Sequence, residues 1–140
     1  MPEKKYSIEI ESDPNNLITV EEFVNYFAKD LGVNDNKMNG LLLSVTEATT
    51  NAIIHGNKCD ANKKVFINVF VEDDKIIIKV KDEGEGFNPE NIPDPTEPQN
   101  LLKDSGRGVY LMRVYMDDLK YNATPEGMET ILVLKLENPD

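Results

Sequence analysis

The chain has no tryptophan, one cysteine (Cys59) and one histidine (His55) among its 140 residues. A single cysteine excludes an intrachain disulfide, and one Cys with one His cannot supply the four ligands of a structural zinc site. No apolar run approaches the roughly 20 residues of a membrane-spanning helix, and the N-terminus leads into no signal-type apolar segment. The sequence therefore predicts a soluble protein with a cytoplasmic location.

Basic residues are also few, with 15 Lys and Arg against 26 Asp and Glu, which gives a net charge of -11. This charge opposes nonspecific attraction to nucleic acids and anionic membranes, so neither is expected as a direct partner. It would repel a nucleotide as well. Any phosphate site must therefore have local compensation from a metal, a helix N-terminus or a positioned Arg or Lys.

Length and composition predict one domain over residues 1–140, with 39% hydrophobic residues to build its core. Apolar periodicity predicts helices at about 15–31, 34–54 and 106–117, and strands at 6–11, 64–72, 75–82, 119–123 and 129–136. Gly32 ends the first helix, and Asp73-Asp74 makes a hairpin turn. Mostly adjacent, hairpin-connected strands predict an α+β two-layer sandwich with a mixed, mostly antiparallel sheet.

Three polar side chains, Glu47, Asn51 and His55, recur at intervals of four residues along the second predicted helix. Because each helical residue advances about 100°, they form one column at the border of the apolar stripe, where a cleft beside the core would be lined. Two glycine-rich stretches follow, Asp82-Glu83-Gly84-Glu85-Gly86 and Gly106-Arg107-Gly108. A carboxylate and an amide one turn apart, followed by two such loops, are the parts needed to hold a magnesium nucleotide.

Two common nucleotide motifs are excluded. The stretches that begin at Gly84 and Gly106 have Pro89 and Leu111 where the third glycine of G-x-G-x-x-G would stand, and the chain contains no G-x-x-x-x-G-K-[ST]. The protein is therefore neither a dinucleotide-binding fold of that type nor a P-loop protein.

The remaining motifs, in this order, resemble those of the GHKL ATP-binding superfamily, which includes gyrase, histidine kinases and MutL. The resemblance covers roughly residues 35–136 and rests on Glu47-x-x-x-Asn51-x-x-x-His55, Asp82-x-Gly84-x-Gly86 and Gly106-x-Gly108. It implies the Bergerat ATP-binding fold. Within the superfamily, residues 46–56 and 106–113 resemble the anti-sigma factor serine/threonine kinases of bacterial partner-switching systems.

The resemblance implies roles for individual residues. Glu47 would be the general base, and Asn51 would bind Mg²⁺ through its side-chain oxygen, a hard ligand suited to this ion. Asp82 would accept a hydrogen bond from the adenine amino group, while Gly84 and Gly86 let the backbone approach the ring. Each polar residue also has an ordinary structural explanation, as a surface carboxylate, an exposed amide or a strand-end turn residue.

Further ATP contacts are implied at the end of the chain and around the third helix. Thr130 would support the adenine contact, although it could equally be a β-favouring strand residue. Gly106 and Gly108 would free backbone amides to face phosphate oxygens at a helix N-terminus. Lys103 and Arg107 are candidate phosphate cations or, alternatively, solvated charges.

The proline-rich segment 88–105 would be the lid that closes over the triphosphate. Some serine kinases of this group have an arginine just before the Ser-Gly of the third motif, where this chain has Asp104. Two functions therefore stay open. The first is a Mg-ATP-dependent serine/threonine kinase that phosphorylates an anti-sigma-factor antagonist and sequesters a sigma factor. The second is a non-catalytic module that binds ATP or ADP and a protein partner. The resemblance also suggests a homodimer.

Overall fold

The computed structural model describes residues 5–84 and 107–136, with the backbone alone for 107–110. The strands are β1 (Lys5–Glu11), β2 (Lys64–Glu72), β3 (Lys75–Lys81), β4 (Asp118–Thr124) and β5 (Gly127–Lys135). The α-helices are α1 (Leu17–Leu31), α2 (Asp35–Asn51) and α3 (Arg107–Tyr115). A 3₁₀ turn, Pro14–Asn16, precedes α1, and a π-helical turn, Ala52–Gly56, follows α2.

The five strands form one sheet in the order β1-β2-β3-β5-β4, and every pairing among the described strands is antiparallel. Side chains alternate along each strand, and one face of the sheet packs against the helices. Val65, Ile67, Ile78 and Leu132 are fully buried there. One layer of helices on one sheet confirms the predicted α+β two-layer sandwich.

Local signals explain where the first two helices begin and end. Before α1, the Asp13 side chain accepts a hydrogen bond from the Asn15 N–H at 2.9 Å and caps the 3₁₀ turn, which Pro14 begins. Gly32 ends α1 in the left-handed conformation, with φ of 71° and its N–H bonded to the Ala28 and Lys29 carbonyls. Asn34 caps α2 by accepting from the Asn36 N–H at 2.8 Å. The predicted end of α1 at Gly32 is confirmed.

The second helix differs from the prediction at its end. Its α-helical part stops at Asn51, and a π-helical turn follows in which the Asn57 N–H bonds to the Ala52 carbonyl at 2.8 Å. Because a π turn bonds residues i and i+5, regular α-helical geometry holds for Glu47 and Asn51 but not for the turn that contains His55.

Helix α3 packs on the sheet and on α2. Met112 and Met116 are buried in the core, and the Tyr115 ring lies directly against Gly40 of α2, where a Cβ would meet ring atoms at 2.7–2.8 Å. Gly40 thus permits the close approach of α2 and α3. Within the described part of the chain, no helix is long and apolar enough to cross a membrane.

Candidate functional site

Asp82 follows the last residue of β3 and is 1% exposed. Its Oδ1 accepts hydrogen bonds from the Gly84 and Met128 N–H groups, both at 3.1 Å. Its own N–H donates to the Met128 carbonyl at 3.0 Å. Oδ2 is buried and has no hydrogen-bond partner among the described residues. A buried carboxylate oxygen normally has a donor, so this atom is available to a donor from a ligand or a water molecule.

Three glycines surround this carboxylate. A Cβ on Gly56, in the π turn, would lie 2.0 Å from Asp82 Oδ2. A Cβ on Gly84 would lie 1.7 Å from the Gly56 carbonyl oxygen, and one on Gly127 would lie 2.0 Å from the Asp82 carbonyl oxygen. The backbone of the π turn, the loop after β3 and the start of β5 therefore meet at Asp82 only because none of these positions carries a side chain.

The same enclosure raises the pKa of the Asp82 carboxyl group, since burial disfavours its charged form. The Met128 and Gly84 amides and the charge of Lys63 act in the opposite direction. Oδ1 of the carboxylate is thus hydrogen-bonded to two backbone amides, while Oδ2 is buried without a partner among the described residues. This arrangement suits a single, directed hydrogen bond from a neutral donor such as an exocyclic amino group.

Thr130 lies close to Asp82 in the sheet. It is 3% exposed, on the helix-covered face of β5, and pairs directly with Val80 of β3. Met128, whose N–H bonds Asp82, is two residues earlier on the same strand. Side chains at i and i+2 of a strand share a face, so Thr130 borders the Asp82 enclosure on the side of the core. The structure thus brings together these two predicted site residues.

Glu47 and Asn51 lie on α2 next to the junction with the π turn, and both are half-buried. At about 100° per residue, both project within about 20° of Gly40, the residue that faces Tyr115 of α3. They therefore lie on the α3 side of α2, at the edge of the core. Burial raises the pKa of the Glu47 carboxyl group above its ordinary value. A raised pKa makes Glu47 a better proton acceptor near neutral pH than an exposed glutamate.

Several predicted site residues are only partly described or not described. The backbones of Arg107 and Gly108 form the first turn of α3, which gives a helix N-terminus at the predicted position. Gly86, Lys103 and Gly106 lie outside the described residues, as do Asp104 and the predicted lid 88–105. His55, predicted as part of the polar column, is exposed in the π turn.

The sequence did not single out Gly56 and Asn57, which come just after the predicted helix 34–54. Gly56 faces Asp82 Oδ2, and Asn57 is 1% exposed with its side-chain oxygen accepting from the Glu83 N–H at 2.8 Å. An Asn after a helical glycine is a common stop signal, so nothing in its local sequence indicated a tertiary contact with the loop after β3.

The sequence was compared with models of known protein families. The model of the histidine kinase-like ATPase domain matches residues 10–134, which is most of the chain. The chain belongs to this family. Membership in the histidine kinase-like ATPase family implies the use of ATP, and it confirms the GHKL resemblance that the motifs indicated.

Two curated relatives indicate which subfamily the chain resembles. An anti-sigma F factor of Clostridium perfringens is 35% identical over 118 residues, which cover 81% of this chain and 83% of that protein. The serine-protein kinase RsbW of Oceanobacillus iheyensis is 32% identical over 101 residues, which cover 68% of this chain and 64% of that protein. Both are consistent with the predicted subfamily of anti-sigma factor kinases.

A solved structure supports the fold alone. The RsbU and RsbW domains of a Mycobacterium tuberculosis protein superpose with a TM-score of 0.71 at 14% identity, covering 97% of this chain and 33% of that one. The whole described architecture, from β1 to β5, therefore corresponds to a fold that is known from a solved structure.

Proposed function

We propose that the protein is a Mg-ATP-dependent serine/threonine protein kinase that acts as an anti-sigma regulatory factor. The observation that carries the nucleotide site is the buried Asp82 carboxylate, whose Oδ2 lacks a hydrogen-bond partner among the described residues. The names of the relatives, anti-sigma F factor and serine-protein kinase, supply the reaction class and the biological setting.

The chain's residues fit the nucleotide base. Asp82 Oδ2 would accept a hydrogen bond from the adenine amino group, and Gly56 and Gly84 let the backbone lie close to this carboxylate. Thr130 would support the same contact from β5. Gly86, outside the described residues, would let the backbone approach the adenine ring. A buried acceptor left unpaired without the ligand gives selectivity, because only a base with a donor at this point satisfies it.

The other end of ATP would lie between α2 and α3. Asn51 would hold Mg²⁺ through its side-chain oxygen, with the remaining ligands from phosphate oxygens and water. The amides at the start of α3, around Arg107 and Gly108, would face the phosphates and supply positive potential in a chain of net charge -11. Gly106, Lys103 and the Arg107 side chain would complete the compensation. When bound, ATP would supply the phosphoryl group, and Mg²⁺ would neutralise charge on the phosphate oxygens.

Glu47 would be the catalytic residue of the chain. Its carboxylate would accept the proton of a substrate Ser or Thr hydroxyl as that oxygen attacks the γ-phosphorus and ADP leaves with the bridging oxygen. Phosphoryl transfer needs little covalent help from protein, so orientation of the hydroxyl and acceptance of its proton could suffice. The half-buried position of Glu47, which raises its pKa, matches this role.

The partners would be an anti-sigma-factor antagonist, as the phosphorylated substrate, and a sigma factor, as the sequestered protein. Incubation with γ-labelled ATP, Mg²⁺ and candidate antagonists tests the reaction, with Glu47→Gln as the variant. Glu72→Gln, the same chemical change at an exposed position at the end of β2, is the matched control. Wild type and Glu72→Gln should label an antagonist Ser or Thr, and Glu47→Gln should not, with ATP affinity equal in all three.

Transfer that persists in Glu47→Gln would reject Glu47 as the base. Binding of ATP without transfer to several antagonists would instead favour the second function, a non-catalytic ATP- or ADP-binding regulator of a protein partner.

A further inference from the structure

Asn57 lies at the centre of a buried hydrogen-bond network. Its side-chain oxygen accepts from the Glu83 N–H at 2.8 Å. Its side-chain nitrogen donates to Ser12 Oγ at 2.7 Å and to the Lys64 carbonyl at 3.0 Å. Ser12 is 2% exposed and donates onward to the Lys63 carbonyl at 2.7 Å. Each polar atom of the Asn57 side chain therefore has a protein partner.

These partners belong to three segments that are distant in sequence. Ser12 follows β1, Lys64 begins β2, and Glu83 is the residue directly after Asp82. Asn57 itself is fixed at the end of the π turn, because its N–H bonds the Ala52 carbonyl. The side chain thus ties the end of the α2 segment to the loop that carries Asp82.

The peptide between Asp82 and Glu83 is the part of this loop that Asn57 holds. On its other side, Asp82 Oδ1 is held by the Gly84 and Met128 amides. The two sets of bonds together leave the carboxylate with one orientation, in which Oδ2 faces Gly56. Asparagine provides the acceptor without adding a second negative charge beside a buried carboxylate, where a like charge would disfavour ionisation of both.

We infer that Asn57 is a positioning residue for base recognition, which sets the direction of Asp82 Oδ2 through the Glu83 N–H. This inference rests on the proposed role of Asp82 in binding adenine. Asn57 acts through the loop and does not touch the nucleotide. Its loss should therefore reduce discrimination between nucleotide bases more than it reduces binding of the phosphates, which lie toward α3.

Asn57→Ala tests the inference, with Ser12→Ala as the matched control. Ser12→Ala removes a buried member of the same network but keeps the bond between Asn57 and the Glu83 N–H. The measurements are the dissociation constants of Mg-ATP and Mg-GTP by calorimetry, the melting temperature, and hydrogen exchange of the Glu83 amide without nucleotide.

We expect Asn57→Ala to weaken ATP binding about tenfold while GTP binding changes far less, so that the ATP preference falls. The Glu83 amide should exchange faster than in wild type. Ser12→Ala should lower the melting temperature but keep the wild-type ATP preference and slow Glu83 exchange. If Asn57→Ala does not fold cooperatively, Asn57→Ser replaces it, with the same direction expected.

An ATP preference in the Asn57 variant equal to that of Ser12→Ala would overturn the inference and leave the proposed function standing. Unchanged Glu83 exchange would also overturn it, without reference to any nucleotide. Failure of the wild type to prefer ATP over GTP would instead reject the proposed role of Asp82, and the inference with it.

Discussion

Burial raises the pKa of both carboxyl groups in the candidate site, Glu47 and Asp82, but their surroundings suit different proposed tasks. Asp82 has one oxygen fixed by two backbone amides, and its second oxygen is enclosed by glycine backbone. This geometry suits recognition of a fixed donor. Glu47 is half-buried, and this burial raises its pKa. Such a group can accept a proton during a reaction.

The raised pKa of Glu47 predicts the pH dependence of phosphoryl transfer. The base must be deprotonated, so the rate should fall as the pH is lowered through the raised pKa of Glu47. The acid limb of the pH–rate profile should therefore lie above the ordinary glutamate pKa. Rates measured under saturating Mg-ATP, with ATP affinity followed over the same pH range, check this. An acid limb at or below the ordinary value would contradict the role of Glu47.

The raised pKa of Asp82 predicts how the stability of the protein depends on pH. An acid whose pKa is raised by folding adds stability below its unfolded pKa and loses that contribution as pH rises through its folded pKa. Asp82→Asn removes this titration, and its Oδ1 can still accept from Gly84 and Met128. The melting temperature of the variant minus that of wild type should therefore increase as pH rises from about 4, the ordinary aspartate pKa. A difference that decreases with pH would contradict the shift.

At the scale of single residues, the spacing in the sequence indicated where the candidate side chains lie, while their roles are implied by the family resemblance. Glu47 and Asn51 share a helix face, and Asp82 stands at a strand end before glycine. Asn57 was missed because its partners, Ser12 and Glu83, come from distant segments. Hydrogen bonds between segments depend on tertiary packing, which no local pattern reports.

At the scale of elements, the π turn is the feature that the sequence did not predict. Hydrophobic periodicity alone continued α2 as a regular helix to residue 54. The shift to i+5 bonding brings Gly56 against Asp82 and directs Asn57 toward the loop after β3. The hairpin of β2 and β3 was easier to predict, because Asp73-Asp74 separates two β-rich runs. In the structure these two residues form the turn, with φ of 51° and 62°.

Gly56→Ala tests the close approach of the π turn to Asp82. Its Cβ would lie 2.0 Å from Oδ2, so the carboxylate must move, and ATP affinity should fall by about tenfold or more, as expected for loss of a hydrogen bond to a charged group. Gly32→Ala is the matched control, because it has nothing within 4 Å and only a strained φ of 71°.

The control should lose about 1 kcal/mol of stability and keep wild-type ATP affinity. Calorimetric titration and chemical denaturation of both variants measure these quantities. Wild-type affinity in Gly56→Ala would mean that this contact does not shape the site.

At the scale of the whole molecule, a chain with a net charge of -11 belongs to a family of ATPase domains. The proposed compensation for phosphate charge is local, at the N-terminus of α3. The overall fold could be predicted because strand alternation and helical periodicity were both clear. The site could be predicted only in part, since the segment between β3 and α3 shows little periodicity in its sequence.

The assembly state belongs to this scale as well. We expect a homodimer, as the family resemblance suggests, with the exposed faces of β1 and α1 as the proposed contact. Ile18 and Tyr26 of α1 are 67% and 65% exposed. Sedimentation equilibrium over a range of protein concentrations should give twice the monomer mass of 15.8 kDa. A monomer at the highest concentration would reject the dimer.

The most direct test of the account is calorimetric titration of Mg-ATP into wild type and Asp82→Asn at neutral pH. The account predicts saturable binding to the wild type. It predicts affinity lower by about tenfold or more in the variant, because an amide nitrogen in place of Oδ2 cannot accept the adenine amino proton. Equal affinities in two folded proteins, or no binding to the wild type, would contradict the assignment of Asp82 and of the nucleotide site built around it.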